Sequence, residues 1–136
     1  MARKSKYLSA QPVSDTSVHY LAGQYGRLSV EDGDDTESNS IGNQAKIADA
    51  FLAEYPDIQI AERYADNGYT GMNYSRPAFH QMMADVRSGK INCIIIKDIS
   101  RLGRHFVETS ELVEQIFPAM NVRLISVNDN YDSLVQ

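Results

Sequence analysis

The run Ile91-Asn92-Cys93-Ile94-Ile95-Ile96 limits what this chain can fold into more than any other segment. It is far too short for a membrane span, which needs about 20 apolar residues. It is also too continuous for a strand with one wet face, which alternates apolar and polar positions. The expectation is a strand over Ile91 to Lys97, buried on both faces in the interior of a parallel sheet. Parallel neighbours are reached only by crossover connections, so helices must alternate with strands.

The remaining sequence supplies that alternation. Tyr20 to Ser29 reads as a first strand, weakened by Gly23 and Gly26. Ser40 has the character of a helix N-cap. Behind it Ile41, Ala45, Ala48, Phe51 or Leu52, and Tyr55 recur at helical spacing until Pro56. Ile58 to Tyr64 alternates as a strand, and Asp66-Asn67-Gly68-Tyr69-Thr70-Gly71 is a turn-rich loop. Pro77, the apolar face Phe79, Met82, Met83 and Val86, and Ser88-Gly89 mark a second helix. Thr109, Leu112, Val113, Ile116 and Phe117 line a third, closed by Pro118, and Val122 to Val127 is the last strand. This order predicts an α/β domain of three layers, with a mostly parallel central sheet of about four or five strands flanked by helices. In such sheets ligands gather at the carboxyl ends of the strands. The loops that matter are therefore those after Ser29, Tyr64, Lys97 and Val127.

At 136 residues the chain is one domain, able to bury roughly two thirds of the surface it exposes when unfolded. Residues 1–18 are polar, with Arg3, Lys4 and Lys6, and read as a flexible leader before a folded domain over 19–136. The polar end soon after the last strand reads as a piece of something longer. Cys93 is the only cysteine, which excludes an internal disulfide, and its apolar setting reads as a buried small hydrophobe. No signal-peptide core is present, so the expected setting is a reducing cytoplasm. A net charge of −5 argues against a stand-alone DNA clamp, whose affinity comes mainly from neutralised phosphates. It leaves room for a small basic pocket in an acidic body.

Such a pocket has candidates. In Tyr25-Gly26-Arg27-Leu28-Ser29, residues two apart share a strand face, so Arg27 and Ser29 project together. The guanidinium can hold a phosphate against the hydroxyl and stabilise developing negative charge. A surface serine beside a surface arginine is the plain alternative. In Lys97-Asp98-Ile99-Ser100-Arg101-Leu102-Gly103-Arg104-His105, a helix would place Arg101 and Arg104 on one face as a phosphate clamp. Arginine at a helix start opposes the macrodipole, which implies an anionic partner; a solvated basic turn with Asp98 as partner is the alternative. Arg76 stands before Pro77 at the mouth of the second helix, either facing the site or simply solvated. Gln44 is likewise a polar group turned toward the site or an ordinary solvated position. His19, His80 and His105 lack metal-ligand spacing with Cys93, and no glycine-rich phosphate loop occurs, so no metal or cofactor is expected.

Together these segments resemble, in one order from about Tyr20 to Ser133, the catalytic domain of the serine site-specific recombinases, the resolvase/invertase family. The match includes Ser40-Ile41-Gly42-Asn43-Gln44, the Asp-Gly-Tyr-Thr-Gly type loop, Arg76-Pro77 and the Ser100-Arg101-Leu102-Gly103-Arg104 segment, in the manner of the large recombinases of mobile elements. The resemblance implies Ser29 as a nucleophile that forms a 5′-phosphoserine link to DNA. It implies Arg27, Arg76, Arg101 and Arg104 as phosphate-binding groups, with Gln44, Thr70, Asp98 and Ser100 in supporting positions. Ser100 stands where many small resolvases carry Asp, and the acidic loop Glu31 to Glu37 is longer than theirs. Double-stranded DNA and a dimer and synaptic tetramer of the full-length protein are the implied partners, with no membrane. Two other readings are open: a non-catalytic assembly or DNA-docking module of the same descent, and a phospho-receiver-like domain using Asp66 as acceptor with Asp32, Asp34, Asp35 and Lys97.

Overall fold

The computed structural model describes residues 18–29, 40–68, 76–103 and 106–135. β1 (Tyr20–Ser29), α1 (Ile41–Leu52), β2 (Ile58–Gly68), α2 (Pro77–Arg87) and β3 (Cys93–Ile96) follow one another in the expected alternation. A 3-10 turn (Ile99–Leu102) leads from β3 toward α3 (Phe106–Glu111), which continues through a π turn (Leu112–Ile116) into a last turn (Phe117–Ala119). β4 (Arg123–Ser126) and a two-residue β5 (Tyr131–Asp132) complete the sheet, whose order is β2-β1-β3-β4-β5. The first four strands are parallel and β5 is antiparallel to β4.

β3 is buried along its whole length and feeds both faces of the sheet. Ile94 and Ile96 pack with Tyr25, Phe79, Met82 and Phe117 on the side covered by α2 and the third helix. Cys93 and Ile95 pack with Ala22, Ala48 and Ile125 on the side covered by α1. The one polar interruption of the run, Asn92, sits at the exposed entry to β3, where its side-chain oxygen accepts from the Leu21 amide at 2.9 Å. Among the described residues no helix is long and apolar enough to cross a membrane.

Local chemistry sets the helix ends. The Ser40 hydroxyl accepts from the Asn43 amide and caps α1. α1 stops at Leu52, short of Pro56, but Tyr55 still stacks on Phe51 with ring centroids 4.9 Å apart. Gly89 adopts φ +85 just past α2, the left-handed position that glycine fills without cost.

Besides the early end of α1 and a β3 shorter at both ends than the expected Ile91 to Lys97, three further features differ from the sequence expectation. β2 runs on from Tyr64 to Gly68, because β1 pairs with it in register as far as Ser29↔Gly68, and backbone pairing outweighs the turn-forming Asp-Asn-Gly. Pro118 lies within the last helical turn instead of ending the helix before it. The π turn ahead of it widens the coil where the proline ring would press on the preceding turn. The helix ends instead at Ala119, and just past its cap Asn121, at φ 59, lets its own amide donate to the Pro118 carbonyl and that of Val122 to the Phe117 carbonyl. β5 arises in a stretch with no apolar pattern, held by a two-pronged ion pair from Arg123 to Asp132. Residues 1–17 of the expected leader at 1–18 and the acidic loop Glu31 to Glu37 lie outside the described residues.

Candidate active site

The order 2-1-3-4 puts the reversal of strand order between β1 and β3, where ligands of open α/β sheets collect. Pairing between these strands stops at Tyr25↔Ile96, whereas β1 stays paired with β2 to its end. The last turn of β1 therefore has a bare edge on the β3 side, and its backbone groups need other partners. Side chains supply them. The Arg27 amide donates to Gln44 Oε1 at 3.2 Å, and the Arg27 carbonyl accepts from Gln44 Nε2 at 3.2 Å and from Arg101 Nη1 at 2.6 Å. Gln44 is fully buried and comes this close because position 26 is glycine: a Cβ there would lie 3.1 Å from Gln44 Oε1.

The exchange is reciprocal. Arg27 Nη2 donates to the Ser100 carbonyl at 2.7 Å and Arg27 Nε to the Arg101 carbonyl at 3.2 Å. Arg76 Nη1 donates to the Leu102 carbonyl. Two guanidiniums from separate stretches of chain, Arg27 and Arg76, thus gather the carbonyls at the end of the 3-10 turn, groups that a helix of this kind leaves unsatisfied, while a third, Arg101, reaches back from that turn to the Arg27 carbonyl. Arg27 and Arg101 are 3% and 5% exposed, so their charges act in a medium of low screening. Asp98 faces Arg101 Nε at 3.3 Å and accepts from the Ser100 hydroxyl. Arg76 stacks over the Phe79 ring, 3.9 Å from its centroid.

The structure brings Arg27, Gln44, Arg76, Asp98, Ser100 and Arg101 together at one edge. Ser29 ends β1 two residues beyond Arg27. Thr70 and Arg104 lie outside the described residues. The expectation that Arg101 and Arg104 share a helical face falls partly outside the described residues; on the described side the 3-10 turn carrying Arg101 ends at Leu102, and Gly103 is extended at φ 177. Gly103 packs toward Thr109, whose hydroxyl would lie 3.0 Å from an added Cβ. Arg101 is the third residue of a four-residue 3-10 turn, too short to have a separate start and end, so the macrodipole argument for an anion carries no weight here. Of the two readings of Gln44, the solvated one fails: the side chain is buried and turns toward this edge, where it holds the Arg27 backbone.

Residues 22–135 match the family model described as "Resolvase, N terminal domain". The chain belongs to the resolvase family. No curated protein matches. Among solved structures, this resolvase domain is similar to the N-terminal catalytic domain of TP901-1 integrase, at 24% identity and a TM-score of 0.69 over 84% of this chain and 82% of that one. It is also similar to a resolvase family site-specific recombinase from Streptococcus pneumoniae, at 27% identity and a TM-score of 0.65 over 85% of this chain and 77% of the other. A third likeness is to the C-terminal catalytic domain of ISC1926 TnpA, an IS607-like serine recombinase, at 20% identity and a TM-score of 0.60 over 79% and 67% of the two chains.

Sequence reasoning missed the roles that Asp66 and Tyr25 play beside this edge. Asp66 is 5% exposed, and its oxygens accept from the Tyr25 hydroxyl at 2.7 Å and from the Ala78 and Phe79 amides at 2.9 and 3.0 Å. The carboxylate therefore caps α2, whose own N-cap residue, Arg76, makes no capping bond. Burial, and then the neighbouring Asp66, pushes the Tyr25 hydroxyl far above its ordinary range. This geometry disposes of the receiver reading: Asp66 lies in the edge strand β2, with its oxygens committed to helix and tyrosine. Its signal in the sequence was Tyr25, on the same strand face as Arg27. Among the described residues, no group of three or more His, Cys, Asp or Glu could hold a metal ion.

Proposed function

We propose that this chain is the catalytic domain of a site-specific DNA recombinase that cuts and rejoins double-stranded DNA for the excision or integration of a mobile element. The observation that carries the reading is the meeting of Arg27, Arg76 and Arg101 around one turn beside the strand end occupied by Ser29. Membership of the resolvase family supports it. In the proposed reaction the Ser29 oxygen attacks a DNA phosphorus. The oxygen–phosphorus bond to Ser29 forms as the bond to the 3′ oxygen breaks, leaving a 5′-phosphoserine. The proton lost by the serine hydroxyl is balanced by the one gained by the departing 3′ oxygen. Negative charge gathers on the phosphorus oxygens at the transition state, and guanidiniums are the groups suited to meet it.

Arg27, Arg76, Arg101 and Arg104 bind the phosphate in this reading, while Gln44, Thr70, Asp98 and Ser100 hold them. One phosphate ester replaces another, so rejoining needs no ATP, and no step calls on a metal. The full-length protein dimerises and forms a synaptic tetramer. In the structure the guanidiniums grip backbone carbonyls, an observation that equally suits the second reading, a docking module without chemistry. The two are separated by incubating the full-length protein with DNA carrying the ends of its element, trapping in denaturant and identifying the residue bonded to the 5′-phosphate. An adduct at Ser29 that disappears in Ser29→Ala is expected. An adduct that survives Ser29→Ala, or tight binding with no adduct, rejects the proposal. Arg101→Ala should slow adduct formation by about 100-fold or more, with much less effect on binding.

A further inference from the structure

We propose that Asp129 is a positioning residue for Arg101, and that the turn between β4 and β5 fixes the arginine-bearing 3-10 turn in register. The inference deepens the proposed function and rests on it for its catalytic consequence.

The chain leaving β4 follows the chain leaving β3 step by step. The Val127 amide donates to the Ile96 carbonyl at 3.0 Å and the Asn128 amide to the Lys97 carbonyl at 2.7 Å. At the next step a side chain takes over: the Ile99 amide donates to Asp129 Oδ2 at 2.7 Å. Ile99 opens the 3-10 turn, and the first amides of a helix have no carbonyl of their own to meet. Asp98, in the N-cap position, makes no capping bond. The donor is thus satisfied from 30 residues further along the chain. Ser126, 1% exposed in β4, donates its hydroxyl to the same Asp129 oxygen at 2.7 Å. The turn is itself fixed. Asn130 takes the left-handed conformation at φ 55, which asparagine tolerates. The Asn130 amide closes on the Val127 carbonyl at 3.1 Å, and β5 is clamped by Arg123 on Asp132.

Two residues beyond Ile99 stands Arg101, whose guanidinium meets the Arg27 carbonyl at 2.6 Å. That contact is short, and Arg27 lies two residues before Ser29 on the same strand. A carboxylate that sets where the 3-10 turn begins therefore also sets how Arg101 meets β1.

The test has two arms. Hydrogen exchange on the 136-residue chain, followed by NMR, should show the Ile99 amide exchanging about tenfold faster in Asp129→Ala. The Arg101 Nε–H resonance should shift, while the amides of Ile94 to Ile96 and the thermal midpoint hardly move. Asp129→Asn, which keeps an oxygen to accept from Ile99, should restore most of the protection. Unchanged Ile99 and Arg101 signals, or an equal change throughout the sheet, overturns the proposal. Should Asp129→Ala fail to fold, Ser126→Ala is read by the same amide with a smaller rise, and no rise there overturns it equally. In the second arm, adduct formation by the full-length protein should fall in the order wild type, Asp129→Asn, Asp129→Ala, with DNA binding unchanged; parallel losses in binding and adduct overturn the assignment. A wild-type protein that forms no adduct defeats the proposed function, and the exchange arm then decides this inference by itself.

Discussion

At the scale of single residues, the candidate site is an account of backbone groups and what satisfies them. Gln44 stands in for a missing strand neighbour, pairing with both the amide and the carbonyl of Arg27. Gln44→Ala strips the Arg27 amide of this buried acceptor, and a buried group left unmatched costs about 1–3 kcal/mol. The expected loss is about 2 kcal/mol in urea unfolding, accompanied by slower adduct formation because β1 is no longer held at Arg27. Gly26→Ala should produce a milder version of the same defect, since its Cβ would press on Gln44 Oε1 from 3.1 Å. If Gly26→Ala proves as stable as wild type and as active, the closeness of Gln44 to β1 is not what holds the strand end. These roles were illegible in the sequence for a definite reason. The bonds join Arg27 to Gln44 and to Ser100–Arg101, so the spacing of residues along one element says nothing about them. What the sequence did reveal was the class of residue: several arginines and a glutamine placed at strand ends and helix starts.

At the scale of elements, regular patterns were legible and irregular ones were not. The apolar run at β3, the Ser40 cap and the Pro77 start each rest on local chemistry, and each element formed where that chemistry put it. The end of β2, the passage through Pro118 and the existence of β5 depend on partners distant in sequence. β2 continues because β1 is there to pair with it, and β5 exists because Arg123, buried in β4, reaches Asp132. α2 shows how an element can be anchored from outside. Its first two free amides donate to Asp66, a residue of β2, which also receives the Tyr25 hydroxyl of β1. Asp66→Ala should therefore loosen two strands and a helix start at once. Loss of a cap costs about 1 kcal/mol, and removing the acceptor of the buried tyrosine hydroxyl adds about 1–2 kcal/mol more. A total near 2–3 kcal/mol is expected from urea midpoints, together with faster exchange at Ala78 and Phe79. A loss confined to those two amides, with no change in overall stability, would show that Tyr25 does not need Asp66.

For the molecule as a whole, the three-layer arrangement predicts how stability responds to alkali. Two faces of one sheet are sealed, and acidic protons are sealed within them. Burial pushes the Cys93 thiol up to about 12, and it pushes the hydroxyls of Tyr25 and Tyr64 well above their ordinary range, with Asp66 and Asp85 adding to the effect. The sign follows from which state releases its proton first. Below the unfolded values, 9.0 for the thiol and 10.0 for the tyrosines, folded and unfolded chains carry these protons alike, and stability does not depend on them. Above those values the unfolded chain ionises while the folded chain holds on, so stability falls as pH rises. Each such group contributes a slope of up to about 1.4 kcal/mol per pH unit in that window. The urea midpoint should thus be insensitive to these groups at neutral pH and drop steeply from pH 9 toward 12. Cys93→Ala should flatten the first part of that fall, since the thiol is the first of the three to ionise in the unfolded chain. Thiolate absorbance in the folded protein provides the independent check. Its rise should lag far behind that of the urea-unfolded chain, and coincident titrations in the two states would mean that the α1 face of the sheet is open to water around Cys93.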